Sequence, residues 1–437
     1  MFLLFVVICN TAGAGALPAW EFDQGNELTD WVPNSHVADA IIENGILRAR
    51  GADWDAYFLN RTVTFTTSPY QSVLIRMRAT HGGTAELFWS GLLEGEYGGL
   101  TPSKRLQFAV PDDQEWHEFA LFPFWHTEDK IRQLRLDLYS GATFEIDYIR
   151  ILAWDNNTPP VEQYVWSGSD AWLNKPIFPA APERFAPPVS LDVSDKFWVT
   201  LVARADEETP ASLIWANKKK SGINQRSFVL RGGGKPHTYN LEMTGLRTWE
   251  TPLVAIGLQI PRPDGVTIES LSIQDMPGGG ADVVIPYFSF VNAPNRAGKP
   301  CAVMLRVANR GGKDAAVTNV TLQPSADIQV TETFPDALPV SVPFGEFHDF
   351  VWRIQVESPG EYSLSAHITG EGFDEKMTTV LRFDPPAQAG KSDYVPEPKP
   401  VPTTIDVCAY YFPGWDAPSK WDCIRNVAPN RKPVLGY

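Results

Sequence analysis

Phe144-Glu-Ile-Asp-Tyr-Ile-Arg-Ile151 decides the fold, because the chain carries it twice. Its echo is Val266-Thr-Ile-Glu-Ser-Leu-Ser-Ile273, and four further blocks recur at nearly the same spacing. Ser72-Val-Leu-Ile-Arg-Met-Arg-Ala79 matches Phe197-Trp-Val-Thr-Leu-Val-Ala203, and Glu86-Leu-Phe-Trp89 matches Ser212-Leu-Ile-Trp215. Trp116-His-Glu-Phe-Ala-Leu121 matches Pro236-His-Thr-Tyr-Asn-Leu241, and Leu134-Arg-Leu-Asp-Leu138 matches Ile256-Gly-Leu-Gln-Ile260. The offset stays between 120 and 126 residues through all five blocks, so the first 275 residues read as two tandem copies of one domain.

Each copy is a series of short runs with two-residue alternation, separated by Gly, Pro, Asp and Asn turns. Val73, Ile75 and Met77 face one way while Arg76 and Arg78 face the other, the pattern of an antiparallel β-sandwich. A third all-β unit occupies residues 281–384. There Val303, Leu305 and Val307 alternate with Met304 and Arg306, and Phe350, Trp352, Ile354 and Val356 with Arg353 and Gln355. Turns at Asn309-Arg-Gly-Gly312 and Ser358-Pro-Gly-Glu361 complete the pattern of an immunoglobulin-like sandwich. The fold class is therefore mainly β: two tandem jelly-roll β-sandwiches (19–154 and 155–277), then the immunoglobulin-like one. Six prolines in residues 385–402 mark a stiff extended linker.

Helical periodicity enters only near the C-terminus. Ile405, Val407 and Ala409 alternate up to Phe412-Pro-Gly, and Trp421, Ile424 and Val427 recur on one helical side before Pro433-Val-Leu-Gly-Tyr437. Strand, helix and strand make one βαβ unit, which cannot cover its own faces, whereas a complete (β/α)8 barrel needs about 250 residues. Residues 403–437 are thus expected to be the incomplete start of such a barrel, poorly packed alone and belonging to a longer protein.

Composition sets outer bounds. The chain has 437 residues, is 43% hydrophobic and carries a net charge of −15, which argues against nucleic acid as a partner. Phe2 to Ile8 is an apolar run followed by small residues suited to signal-peptidase cleavage, so 1–18 reads as a signal peptide without the usual basic start. The run is too short to span a membrane. A secreted, periplasmic or cell-surface location is expected, as a monomer. Cys301, Cys408 and Cys423, left after cleavage, make no disulfide framework. No Gly-x-Ser-x-Gly, His-Glu-x-x-His or Walker loop is present, and no catalytic residue can be assigned.

Trp20-Glu-Phe-Asp23, the Asn44-Gly-Ile-Leu47 turn and Phe144–Ile151 together resemble the carbohydrate-binding jelly rolls appended to secreted glycoside hydrolases. The likeness covers residues 19–154 and, more weakly, 161–275, where the opening strand is not recognisable. It implies a polysaccharide or glycan as partner. Sugar binding needs flat apolar faces framed by amides and carboxylates, and Trp54, Tyr57, Trp89 and Trp125 are the candidates. Trp54 and Tyr57 lie in the loop-like Gly51–Tyr57 with Asp53 and Asp55 beside them; Trp125 lies in Pro123-Phe-Trp-His126. For Trp89, parity with Leu87 and the echo at Trp215 favour a core position.

Asp147 shares strand parity with Ile149 and Ile151 and should point inward, with Glu269 in the equivalent place. A buried carboxylate must be paired with backbone amides, an arginine or a cation. Structural calcium, often found there in the resembled modules, would take oxygens from Asp23 and Asp147.

Val307-Ala-Asn-Arg-Gly311 and Pro359-Gly-Glu-Tyr362 are similar to immunoglobulin-like spacers of bacterial surface enzymes. Ala409-Tyr-Tyr-Phe-Pro-Gly-Trp415 with Pro433–Tyr437 resembles the opening of family-99-like glycoside hydrolase barrels. That implies Tyr411 and Trp415 at the substrate rim, with the catalytic carboxylates on later strands. The expected function is the non-catalytic carbohydrate-binding and spacer region of a polysaccharide-degrading enzyme; the alternative is a surface glycan-binding or adhesion protein.

Overall fold

A computed structural model of the chain describes residues 16–292, 295–333 and 337–386, together with Thr404. The leader-like residues 1–15, nearly all of the proline-rich linker, and the barrel-like segment with Tyr411 and Trp415 lie outside the described residues. The described chain is mainly β, built of antiparallel ladders; its one α-helix is Ala171–Asn174. Contacts divide it into two compact units, Met1–His237 with Leu241–Met276, and Thr238–Asn240 with Pro277–Tyr437.

The first unit contains two sandwiches with one strand order. In the first, one sheet runs His117–Leu121, Gln71–Ala79, Thr143–Ala153, Ile46–Gly51, Val37–Glu43, with Ala19–Trp20 also on Thr143–Ala153. The facing sheet runs Val32–Pro33, Tyr57–Asn60, Gln133–Asp137, Gly83–Ser90, Arg105–Val110. In the second, His237–Glu242, Trp198–Ala205, Val266–Gln274 and Val165–Ser167 follow the first order. Glu183–Phe185, Leu253–Gln259, Thr209–Asn217 and Asn224–Leu230 follow the other.

Val165–Ser167 is the opening strand that the sequence does not reveal. Trp166 sits opposite Leu271 as Trp20 sits opposite Ile149. Each indole meets another edge-on, Trp20 with Trp31 at 5.2 Å and Trp166 with Trp172 at 5.6 Å. The tryptophan pair thus recurs in the second copy, in an opening segment whose sequence is otherwise different.

Two-residue alternation explains the cores. Val73, Ile75, Met77, Leu87, Trp89, Leu134 and Leu136 are buried in the first sandwich, and Leu213, Trp215, Ile256 and Leu258 fill the corresponding places in the second. At about 25 cal/mol per Å² of apolar surface, this inward row is the main stabilising term. Asp147 breaks the parity rule. Ile146 pairs with Met77 and Tyr148 with Arg76, which leaves Asp147 as the extra residue of a β-bulge. The bulge turns it outward, about one-third exposed, where its carboxylate accepts from Arg76. The inward expectation fails because a bulge resets strand parity. Glu269 occupies the matching bulge and pairs with Arg204.

The second unit is a sandwich of two four-stranded sheets, Val283–Phe290, Cys301–Asn309, Phe347–Gln355, Gln329–Glu332 and Val340–Val342, Ala315–Pro324, Gly360–Gly370, Phe373–Phe383. Val303, Leu305, Val307, Phe350, Trp352 and Ile354 line its core, and Arg306 turns outward to clasp Asp349 at 2.7 and 2.8 Å. Its Asn309–Gly312 turn needs glycine for close approach: a Cβ at Gly311 would lie 1.8 Å from the Gly280 carbonyl oxygen.

Candidate functional site

The outward face of the first sandwich's sheet containing Gly83–Ser90 gathers aromatic and charged side chains. Strand register places Leu59, Arg135, Phe88 and Arg105 in one row, and Tyr57, Asp137, Glu86 and Gln107 in the next. Alternation forces this. Phe58, Leu87, Trp89, Leu134 and Leu136 point into the core, so their neighbours must point out. Arg135 stands at the centre. Its guanidinium lies 3.8 Å over the Tyr57 ring and 5.4 Å from Phe88, donates to both Asp137 oxygens at 2.6 Å, and reaches Asp55 at 2.9 Å. Arg105 donates to Glu86 at 3.0 and 3.1 Å. Burial pushes the Asp137 carboxyl above its ordinary range, opposed by Arg135 and aided by repulsion from Glu86 and Asp55.

Trp54 stands beside this face, 80% exposed. The loop that carries it is fixed. Asn34 Nδ2 donates to the Asp55 carbonyl at 2.7 Å, its Oδ1 accepts from the amides of His36 and Tyr57, and Arg135 holds the Asp55 carboxylate. Asp53 accepts from the Trp54 amide at 2.7 Å, with His36 3.4 Å away on its other side. A pinned loop that leaves an indole in water forgoes a large burial gain.

Trp54 and Tyr57 thus come together at one surface, and the other two candidates do not. Trp89 and Trp125 are buried in the core, in contact at 6.2 Å, and neither offers a ring face to a ligand. Trp125 donates its Nε1–H to Gln71 Oε1 at 2.7 Å. Its segment is not a binding loop but a joint between the sandwiches. Phe122 and Phe124 pack with Phe185, Ile214, Ala216 and Ala255 of the second sandwich. His126 Nε2–H donates to the Asn217 carbonyl at 2.9 Å, and the Tyr70 hydroxyl to the Val254 carbonyl at 3.0 Å.

The joint covers part of the second sandwich's equivalent face, and the Ser212 and Gln259 row lines an open pocket beside it. Ile214 takes the place of Phe88, and Gly257, opposite Ile214 and Phe185, takes the place of Arg135. Ser212 and Gln259 replace Glu86 and Asp137. Phe88, Glu86, Arg105, Arg135 and Asp137 were not among the residues expected at a binding face. Parity carried the signal: once Trp89 is assigned to the core, Phe88 must be outside.

Asp147 and Asp23 each have another neighbour. Asp147 is held by Arg76, and the exposed Asp23 carboxylate lies against Gly45, where a Cβ would come within 3.0 Å of it. Among the described residues no three His, Cys, Asp or Glu side chains converge as metal ligands. No described helix is long and apolar enough to cross a membrane.

No family model and no curated protein matches the chain. Solved structures similar to it include the apo carbohydrate-binding module BiXyn10A CBM1, at 11% identity and a TM-score of 0.23, over 31% of this chain and 96% of that one. The glycoside hydrolase domain of Endo-D from Streptococcus pneumoniae matches at 14% identity and 0.18, over 46% of this chain and 31% of that one. A Salmonella alpha-2-macroglobulin variant matches at 11% and 0.22, over 82% of this chain and 31% of that one. Likeness of this degree identifies no family.

Proposed function

We propose that the first sandwich is a glycan-binding module, in the accessory region of a secreted polysaccharide-degrading glycoside hydrolase. The observation that carries the reading is Trp54, held exposed on a pinned loop beside the outward Tyr57–Arg135–Phe88 cluster. A pyranose stacks on the indole through its C–H face while its hydroxyls bond to the flanking carboxylates and Gln107. The second sandwich is a buttress whose own face is partly covered by the joint, and the immunoglobulin-like unit is a spacer. The resemblance of residues 403–437 to family-99-like barrels supports a hydrolase that acts downstream of them, through two carboxylates outside this chain.

Affinity electrophoresis of the chain through a panel of soluble polysaccharides tests the reading. Trp54→Ala should weaken retardation about tenfold, equivalent to about 1.4 kcal/mol. Trp116→Ala is the control; that indole lies between Arg76 and Arg78 on the opposite sheet, 4.9 and 4.8 Å from their guanidinium carbons. Retardation by no polysaccharide, or equal loss in both variants, would sink the proposal.

A further inference from the structure

We infer that this face selects uncharged glycans and rejects anionic ones; the inference rests on the glycan-binding reading and concerns the same site. Its two guanidinium groups are already engaged. Arg135 gives its Nε–H and Nη2–H donors to Asp137 and Asp55, and Arg105 gives its Nη1 to Glu86. Arginine is the side chain best shaped to grip a carboxylate or sulfate, and each here already grips a protein carboxylate.

The charge count points the same way. Asp53, Asp55, Asp137 and Glu86 face two arginines, which leaves a surplus of two negative charges beside Trp54 with His36 neutral. Lys104, the nearby cation, is paired with Glu128 and brings no positive charge to the face. What the face offers a ligand is carboxylate oxygens that accept and aromatic surface, since the Gln107 amide already donates to Glu86. Those groups suit hydroxyl donors and C–H faces. An anion must instead approach a surface that holds two more carboxylates than guanidinium groups. At about 6 Å in water, each surplus charge repels an anion by about threefold in affinity, so the two together amount to about tenfold.

Polymer pairs that differ only in charge provide the test: hydroxyethyl against carboxymethyl cellulose, dextran against dextran sulfate, and methyl-esterified against de-esterified homogalacturonan. Of any pair that retards the chain, the uncharged member should bind at least tenfold more tightly at low salt. The gap should narrow as ionic strength rises from 20 to 500 mM, because the repulsion is screened. The double variant Asp53→Asn/Glu86→Gln removes both surplus charges and releases Arg105. It should narrow the gap between the anionic and the neutral member about tenfold, whatever the lost acceptors cost both members alike. Equal or tighter binding of anionic members by the unaltered chain, in a manner abolished by Trp54→Ala, overturns the selectivity while leaving the glycan site in place. Retardation by no polymer removes the glycan reading and this inference with it.

Discussion

Phe124 supplies the sharpest test of the joint that covers part of the second sandwich's face. Its ring is buried among Phe122, Phe185, Ile214, Ala216 and Ala255, and its backbone sits at φ 44°, in the left-handed region that costs an L-residue about 1–2 kcal/mol. Burial has to exceed that cost. Phe124→Ala removes the ring from a site with no polar lining, and such truncations cost about 3–5 kcal/mol. Phe124→Gly loses the same contacts and one carbon more. In ordinary backbone glycine is worse than alanine by about 0.5–1 kcal/mol, but at positive φ it has no Cβ to clash. The glycine variant should therefore equal or exceed the alanine variant in stability. Urea unfolding followed by tryptophan fluorescence reads this directly, since Trp154 stacks on Phe185 at 5.8 Å in the joint. Both variants should split unfolding into two steps and bind a hydrophobic dye at the uncovered face before either core melts. A single transition with Phe124→Ala within about 0.5 kcal/mol of the unaltered chain would refute the joint, and alanine clearly above glycine would refute the strain argument.

The same joint should respond to pH through His126, whose imidazole is held below its ordinary value of 6.5 by burial. The unfolded chain then binds the proton more readily, so stability is full above about pH 6.5 and falls as pH drops from there to the folded value; denaturation midpoints of the unaltered chain and His126→Gln should diverge across that window, and parallel curves would discount the histidine. Asp147→Asn weakens a bond to Arg76 in which the two side chains are 30% and 40% exposed, so it should cost no more than about 1 kcal/mol. EDTA should shift the melting temperature by less than about 1 °C, and a shift of several degrees would show a cation that the donor geometry does not suggest.

Sandwich architecture was legible because its signal is periodic. Val73, Ile75 and Met77, or Val303, Leu305 and Val307, alternate cleanly, and the five repeated blocks align the two copies strand for strand. The opening strand of the second copy was hidden, since three residues with one tryptophan make too short a period to register. Asp147 was misplaced for a different reason: a bulge is one unpaired residue, and nothing in the local alternation announces it. Trp125 misled because an aromatic segment after a strand fits a binding loop and a joint equally well. What separated them was the apolar partner surface, carried some ninety residues away by Ile214 and Ala216. Trp54 and Tyr57 were legible as a pair from the loop composition; their neighbours Arg135 and Glu86 were not, because a charged outward residue on a strand is the common case.

One position shows why the two copies cannot serve the same purpose. At the centre of the first face stands Arg135, tying Tyr57, Asp137 and Asp55 together. At the matching point of the second stands Gly257, and even a Cβ there would lie 2.4 Å from the Arg184 carbonyl oxygen and 2.8 Å from the Phe185 ring. No side chain fits there without moving the Arg184 backbone, so the second copy cannot build the arginine-centred lattice of the first. A face can hold a fixed ion-pair lattice for a ligand, or lie bare and apolar for a neighbouring domain. The row of Ile214 and Gly257 is thus given over to a neighbouring domain, while the matching row of the first copy keeps its ion-pair lattice in the open. The loop beneath the Trp54 indole is fixed from both ends before any ligand arrives, which lowers the ordering cost of binding there.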